Sequence, residues 1–419
     1  MTNQQSTPPD VIVVGAGIIG LSTAFLLQRA GLQVLVLDRK GPAAEASRGN
    51  AGAFAFSEVI PLATPATVGK APKWLLDPLG PLSIPPRYAV RLAPWMYRFW
   101  RASRPSQVDQ GIRAQSALMT HSKQALLPFL KLTATGSMLR RDGNLQLYES
   151  AAEFEASRPY WEARKQLGIP FEHIHGSYAL SEIQPGLNKR LKSGTLTPEW
   201  YSISDPHEYA LTIADIFRNR GGQIEITDAQ SLSTTAKNAT VHCADGQTYS
   251  ATRVVVCAGA WSHILARTIG DRIPLETERG YNTTLPSPGM ELQTQLTFGG
   301  HGFVVSTIGT GIRVGGAVEF GGLEAPPNYA RSDTLLAKAK RFLPDLQTDG
   351  GTRWMGFRPS LPDTLPVIGQ SPKSDRIIYA FGHGHLGLTQ SAGTAELVAE
   401  LVNGSSPSID LEPYRADRF

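Results

Sequence analysis

Val11, Ile12, Val13 and Val14 form an unbroken run of β-branched residues, the pattern of a strand buried on both faces in a parallel sheet. Glycines follow at Gly15, Gly17 and Gly20. An apolar stretch then predicts a helix to about Ala30, with Gly31 as its stop. Leu32 to Leu37 read as a second strand that ends in Asp38. This order predicts one half of a doubly wound α/β sheet. Val254 to Val256 repeat the β-branched run far downstream.

Between the two runs, residues 205 to 220 read as a capped helix. Asp205 is the cap, Pro206 takes the first position and Glu208 closes a capping box. "QIEI" returns as a strand after Gly221, and "HCADGQTYS" predicts a hairpin about Asp245 and Gly246. "GIRVGGAVEFGG" (311–322) reads as a strand and turn, with Arg313 and Glu319 as two strand-facing charges that either line the site or, as preferred, lie on an exposed face. The last helix opens at Thr389 and stops at Gly404.

A chain of 419 residues is too long for one small core and predicts at least two domains. A formal charge of +4 gives no reason to expect a nucleic-acid partner, yet suits an anionic substrate or an acidic lipid surface. Cys243 and Cys257 make no disulfide framework, which fits a reducing compartment. "MTNQQSTPPD" lacks the layout of a secretory signal. No stretch reaches the roughly 20 unbroken apolar residues of a membrane span, so the expectation is a soluble, cytoplasmic protein.

The glycine turn carries the first chemistry. In the GxGxxG spacing Gly15 makes the sharp turn, Gly17 lets backbone approach a pyrophosphate and Gly20 lets helix and strand pack closely. Ala16, Ile18 and Ile19 complete the cradle, and Asp38 is placed for ribose hydroxyls. Arg39 and Lys40 read as neighbours of the adenosine or pyrophosphate, because Asp38 would repel a 2′-phosphate. Spacing alone does not separate FAD from NAD. "EASRGNAGAFAF" (45–56) offers small residues for a flat ring and donors at Ser47, Arg48 and Asn50. In "GHGHLGLT" (382–389), His383 and His385 lack a third ligand for zinc, and no metal site is expected.

Four stretches together resemble one family: the cradle at 11–38, "SRGNAG" at 47–52, "RVVVCAGAWS" at 253–262, and "GFRPSLPDTLPVIG" (356–369) with "GHGHLGLT". The likeness is to the D-amino-acid oxidase and dehydrogenase flavoproteins, which include glycine and sarcosine oxidases. It implies a Rossmann-like FAD-binding domain of glutathione-reductase-like topology, assembled from 1–85, 200–268 and 352–419. Residues 86–199 and 269–351 are then an α+β substrate domain with an antiparallel sheet. The cofactor is FAD, contacted by the cradle, by Ser47, Arg48, Asn50, Ala51 and Gly52, and by Ala258, Gly259 and Trp261. Amides of Gly384, His385, Leu386, Gly387, Leu388 and Thr389 are implied at flavin O2 and N1. Ser360 stands where the sarcosine-oxidase branch has its flavin-linking cysteine, so the flavin is expected to be non-covalent.

Within this likeness Arg358 holds the substrate carboxylate, Tyr281 assists it, His385 faces flavin and substrate, and His383 is structural. The implied reaction is oxidation of an amino acid to its imino acid, with hydride passing from Cα to flavin N5 and no dedicated base. "GHGHLG" and "ERGYN" look most like members acting on cyclic secondary amines such as D-proline or hydroxy-D-proline. A glycine- or sarcosine-type oxidase stays open, as do an NAD(P)-dependent dehydrogenase and a non-catalytic flavin-binding subunit. The electron acceptor is oxygen, a quinone or a respiratory chain. Residues 74–104 interleave Trp95, Tyr97, Phe99 and Trp100 with Arg98, Arg101 and Arg104. They read as a packed helix, or alternatively as a peripheral contact with the inner membrane.

Overall fold

The computed structural model describes residues 8–77 and 79–419. The polar start of the sequence through Thr7, and Pro78 in the proline-rich stretch, lie outside the described residues. Val11–Val14 is a strand with all four residues buried. It pairs in parallel with Val34–Asp38 on one side and Arg253–Val256 on the other. Gln223–Ile226 and Ser374–Phe381 extend the sheet in parallel at its two ends, and Val367–Ser371 closes one edge antiparallel.

Branched side chains on both faces of this sheet demand a cover on each. Val11, Val13 and Val36 pack into one core with the helices Ile18–Arg29, Pro206–Asn219 and Gly387–Asn403. Ile12, Val14 and Leu37 pack on the other face against a three-stranded meander, Ala229–Thr234, Ala239–Cys243 and Thr248–Ala251. Its hairpin turns at Asp245–Gly246, as the sequence predicts, with Gly246 at φ 83°. The Asp205 carboxylate accepts the amides of His207 and Glu208 at the head of the middle helix.

A second sheet of nine strands is mainly antiparallel. Its path runs Thr352–Ser360, Glu276–Leu285, Gly311–Glu319, Phe303–Ile308, Gln295–Phe298, Asn144–Tyr148, Ser193–Thr197 and Glu172–His175, with Leu82–Ser83 beside Gly311–Glu319. The helix Ala330–Phe342 packs against it through Leu335, Ala339 and Phe342.

Two stretches depart from the division expected from sequence. Thr352–Ser360 pairs along its whole length with Glu276–Thr284, so it is a strand of the large sheet, whereas the sequence division places 352–419 in the flavin domain. Conversely, the helix Pro105–Leu132 turns Met119, Leu126 and Phe129 into the core beneath the six-stranded sheet, with Phe129 edge-on to Phe25 at 5.7 Å. An apolar helical face shows that a partner exists but not which one. The aromatic helix Pro86–Ala102 is divided: Trp95 stacks on Phe99 and meets Phe320 at a tilt, whereas Tyr97 and Trp100 are 57% and 48% exposed. No helix among the described residues is long and apolar enough to cross a membrane.

Candidate active site

The cradle forms as its glycines require. Gly15 takes φ 110°, and a Cβ there would stand 2.4 Å from the Cys257 carbonyl oxygen; a Cβ on Gly20 would lie 1.8 Å from that of Gly15. Only hydrogen fits at either place. Gly17 is different: its nearest neighbour is the Ser47 hydroxyl at 3.3 Å, and it opens on the cavity. Asp38 Oδ2 accepts the Ala16 amide at 2.7 Å, while its Oδ1 accepts those of Lys40 and Gly41. The carboxylate thus fixes the turn and keeps an Oδ2 lone pair for a ribose hydroxyl. Ser47 Oγ accepts the Ile18 amide at 2.9 Å.

Arg39 lies 3.7 Å over the Trp261 ring and bonds Glu45 at 2.6 Å. Lys40 also turns to Glu45, and the Arg48 side chain is exposed; neither lines the cavity. Asn50 and Ala51 line it beside Ala258, Gly259 and Trp261. The buried Gly52, at φ 68°, donates its amide to Asn50 Oδ1.

One cavity of about 1470 Å³ connects this cradle to Arg358 and His385. Ordinary small-molecule pockets hold roughly 300–1,000 Å³, so there is room for a dinucleotide with a substrate beside it. The bare backbone at Gly17 and the helix amides at the far end fit FAD. Gly387–Asn403 starts at that end, and the amides of Gly387, Leu388 and Thr389 in its first turn have no partners within the helix. Thr389 Oγ1 accepts the Ala55 amide and donates to the Ala53 carbonyl, which joins this helix to the loop after the cradle.

Antiparallel register sets the opposite wall. Glu278 faces Arg358 and Gly280 faces Gly356 across the two strands, so Glu278, Gly280, Asn282 and Arg358 share one face. The guanidinium lies over Gly280, where a Cβ would come within 2.3 Å of Nη2. It donates to the Ala317 carbonyl at 2.9 Å and the Gly316 carbonyl at 3.5 Å. A β-bulge with Ala317 at φ 58° interrupts the pairing here. Burial lowers the guanidinium pKa, and Glu278 opposes that shift. Arg358 lines the cavity and does not point into bulk solvent.

Strand alternation gives the Tyr281 side chain its partners. Arg279 and Tyr281 turn to the face beneath Ala330–Phe342, and both are 1% exposed. The Tyr281 hydroxyl donates to Glu319 and accepts the Asn328 amide. Arg279 bonds Glu319 at 3.1 Å and the Ala325 carbonyl at 2.6 Å. The Tyr281 hydroxyl is therefore held in a buried ionic cluster with Glu319, although the residue still borders the cavity. Arg313 and Glu319 are not on an exposed face either, because both faces of their strand are covered. Arg313 lines the cavity and donates to the Asn50 carbonyl at 2.6 Å.

The histidine turn meets this wall directly. The Gly384 amide donates to the Pro359 carbonyl at 2.8 Å, next to Arg358. Gly382 and Gly384 take φ 87° and 54°. His385 is exposed to the cavity. Its surroundings lower its pKa, chiefly through burial of the site, with Glu278 and Glu58 opposing and Arg358 adding to the shift. His383 is 3% exposed and bonds Thr394 at 3.0 Å. Among the described residues no cluster of three or more His, Cys, Asp or Glu could hold a metal ion.

Burial pushes the His383 imidazole down to about 3, so it is neutral in the fold, while the unfolded chain protonates it below about 6.5. The unfolded state binds the extra proton between these values. Stability contributed above the unfolded pKa is therefore lost as pH falls through this window, by up to about 1.4 kcal/mol per pH unit. His383→Asn should flatten the dependence of unfolding free energy on pH between about 4 and 6. Urea titrations that give parallel curves for variant and wild type would contradict this.

Glu278 is the residue that sequence reasoning missed, whereas Arg313 takes the alternative place that the sequence left open to it, in the cavity wall. The available signal was alternation within "ETERGYN", which needs the partner strand before it has a direction.

A family model described as DAO, FAD dependent oxidoreductase, matches residues 10–401. The chain is 32% identical over 421 residues to a D-amino-acid oxidase of Bradyrhizobium diazoefficiens, with 98% of each chain covered. It is 30% identical over 416 residues to a D-amino acid dehydrogenase of Rhizobium johnstonii, covering 98% of this chain and 99% of that one. Its fold is similar to that of glycine oxidase from Geobacillus kaustophilus, with a TM-score of 0.79 at 20% identity over 99% of this chain and 100% of that one.

Proposed function

The chain belongs to the DAO family of FAD-dependent oxidoreductases, and on that premise we propose that it oxidises a D-amino acid to the imino acid, with a cyclic secondary amine such as D-proline or hydroxy-D-proline as the preferred substrate. The names of its relatives support the D configuration. The cyclic preference rests on the "ERGYN" and "GHGHLG" segments.

The observation that carries the reading is Arg358, a guanidinium lodged over Gly280 in the wall of the cavity. A planar fork of donors fixes the orientation of a carboxylate as well as its charge. We assign that role to Arg358 and a substrate contact to His385, which is disposed toward the neutral form. Tyr281 supports the wall from behind. Gly17, Ser47, Asn50 and the amides of Gly387 to Thr389 would hold FAD, and no cysteinyl bond is expected because Ser360 stands at the linking position and no cysteine follows Cys257. FAD, when bound, supplies the two-electron acceptor for the Cα–H bond.

For the domains, we assign the six-stranded sheet and its covering layers to the cofactor and the nine-stranded sheet to the substrate. The exposed Tyr97 and Trp100, with Arg104 against Trp100, support a peripheral contact with an acidic membrane, where a quinone takes the electrons.

Anaerobic mixing with a panel of D- and L-amino acids, including cyclic secondary amines and N-methylglycine, tests the proposal through fading of the flavin's visible absorbance. Fading is expected with D-amino acids and fastest with the cyclic ones. Fading with L-isomers alone, or with no member of the panel, would overturn it.

A further inference from the structure

Arg358 is not the only charge in its part of the wall. Directly across the strand pair stands Glu278, on the same face and 5% exposed. Its Oε1 accepts the Ser360 hydroxyl at 2.6 Å, and Oε2 has no hydrogen-bond partner among the described residues. Glu278 and Arg358 do not pair with one another. The guanidinium bonds carbonyls of the neighbouring strand, and the carboxylate bonds a serine. Both side chains line the cavity.

A buried carboxylate held by one neutral hydroxyl is costly unless a cation or further donors complete it. Arg358 makes no ion pair with it, and two of the five guanidinium donors go to the Ala317 and Gly316 carbonyls. His385, which feels the Glu278 charge across the cavity, is disposed toward its neutral form by burial. Glu58, the second acid of this region, already has Arg164 at 3.4 Å. The wall therefore presents one guanidinium and one incompletely satisfied carboxylate side by side, and an α-amino acid carries the complementary carboxylate and ammonium on a single carbon.

We propose that Glu278 binds the ammonium group of the substrate while Arg358 binds its carboxylate, so that the pair selects amino acids over acids that lack the amine. The inference rests on the amino-acid reading above and adds a second contact to it. Ser360 acts as a positioning residue, holding one carboxylate oxygen so that the other is presented to the cavity.

The test uses two ligands that cannot be oxidised by loss of an α-hydrogen: 2-aminoisobutyrate, which has the amine, and pivalate, which does not. Binding to the flavin-loaded protein is measured by perturbation of the flavin spectrum and by calorimetry. Glu278→Gln should weaken 2-aminoisobutyrate by about 10- to 100-fold, the value of one hydrogen bond to a charged group, and leave pivalate unchanged or tighter. Glu278→Asp, which keeps the buried charge, should retain part of the preference for the amine. A purely structural role would weaken both ligands together. Equal losses, or no loss in either variant, would overturn the proposal while leaving the amino-acid reading intact wherever the wild type still fades with D-amino acids. A wild type that binds neither ligand and fades with no amino acid would overturn both.

Discussion

Arg358→Ala is expected to raise the amino-acid concentration needed for half-saturation by about 10²- to 10³-fold, from the loss of two charge-assisted hydrogen bonds worth roughly 1.5–3 kcal/mol each, less the water that replaces them. FAD retention should be unchanged, because the guanidinium is anchored on Gly316 and Ala317 in the large sheet and the cradle lies at the other end of the cavity. Arg358→Lys should fall between the two, since it keeps the charge and loses the fork. The flavin-to-protein absorbance ratio and the saturation curve for anaerobic reduction separate the effects. Unaltered saturation in the alanine variant would remove the carboxylate assignment. Loss of flavin together with saturation would move Arg358 to a structural role.

The second large effect belongs to Gly20. Gly20→Ala would place a Cβ 1.8 Å from the Gly15 carbonyl oxygen, and that atom is backbone in the turn itself. Helix and strand must separate, at a cost of about 1–3 kcal/mol or more, and the distortion falls on the amides that would meet the pyrophosphate. The variant should purify with little or no flavin and unfold at a lower temperature. Gly69→Ala is the control: nothing lies within 4 Å of a Cβ there, and alanine favours the helix Pro65–Leu75. It should be neutral or slightly stabilising. Full flavin content in Gly20→Ala would mean that the tight packing is dispensable.

Local patterns carried much of this site. Gly15, Gly17 and Gly20 announce a turn whose geometry is contained within a few residues, and Asp205 announces a cap on its own helix. What stayed hidden depends on partners far away in the chain. Within "ETERGYN", which way the side chains of Tyr281 and Glu278 point follows only from the register of this strand with 352–360. The same is true of Arg313, whose direction is set by the loop at 47–52 on one side and the helix at 330–342 on the other. The helix at 105–132 meets Phe25 through Phe129, and nothing local in its sequence names that partner.

The six-stranded sheet has a consequence for how the protein is made. Its middle strand, Val11–Val14, needs neighbours at 34–38 and 253–256, and the latter needs 374–381. Contacts so distant in sequence slow folding, because a long loop must close before they gain anything. During synthesis the first strand emerges early and waits, with one edge open, until 253–256 follow, and that strand in turn keeps an open edge until 374–381 have left the ribosome. The helix whose amides face the cavity is later still. FAD can therefore be captured in full only after translation, and a nascent chain paused before residue 374 exposes an unpaired apolar edge, which makes this stage the one most in need of a chaperone.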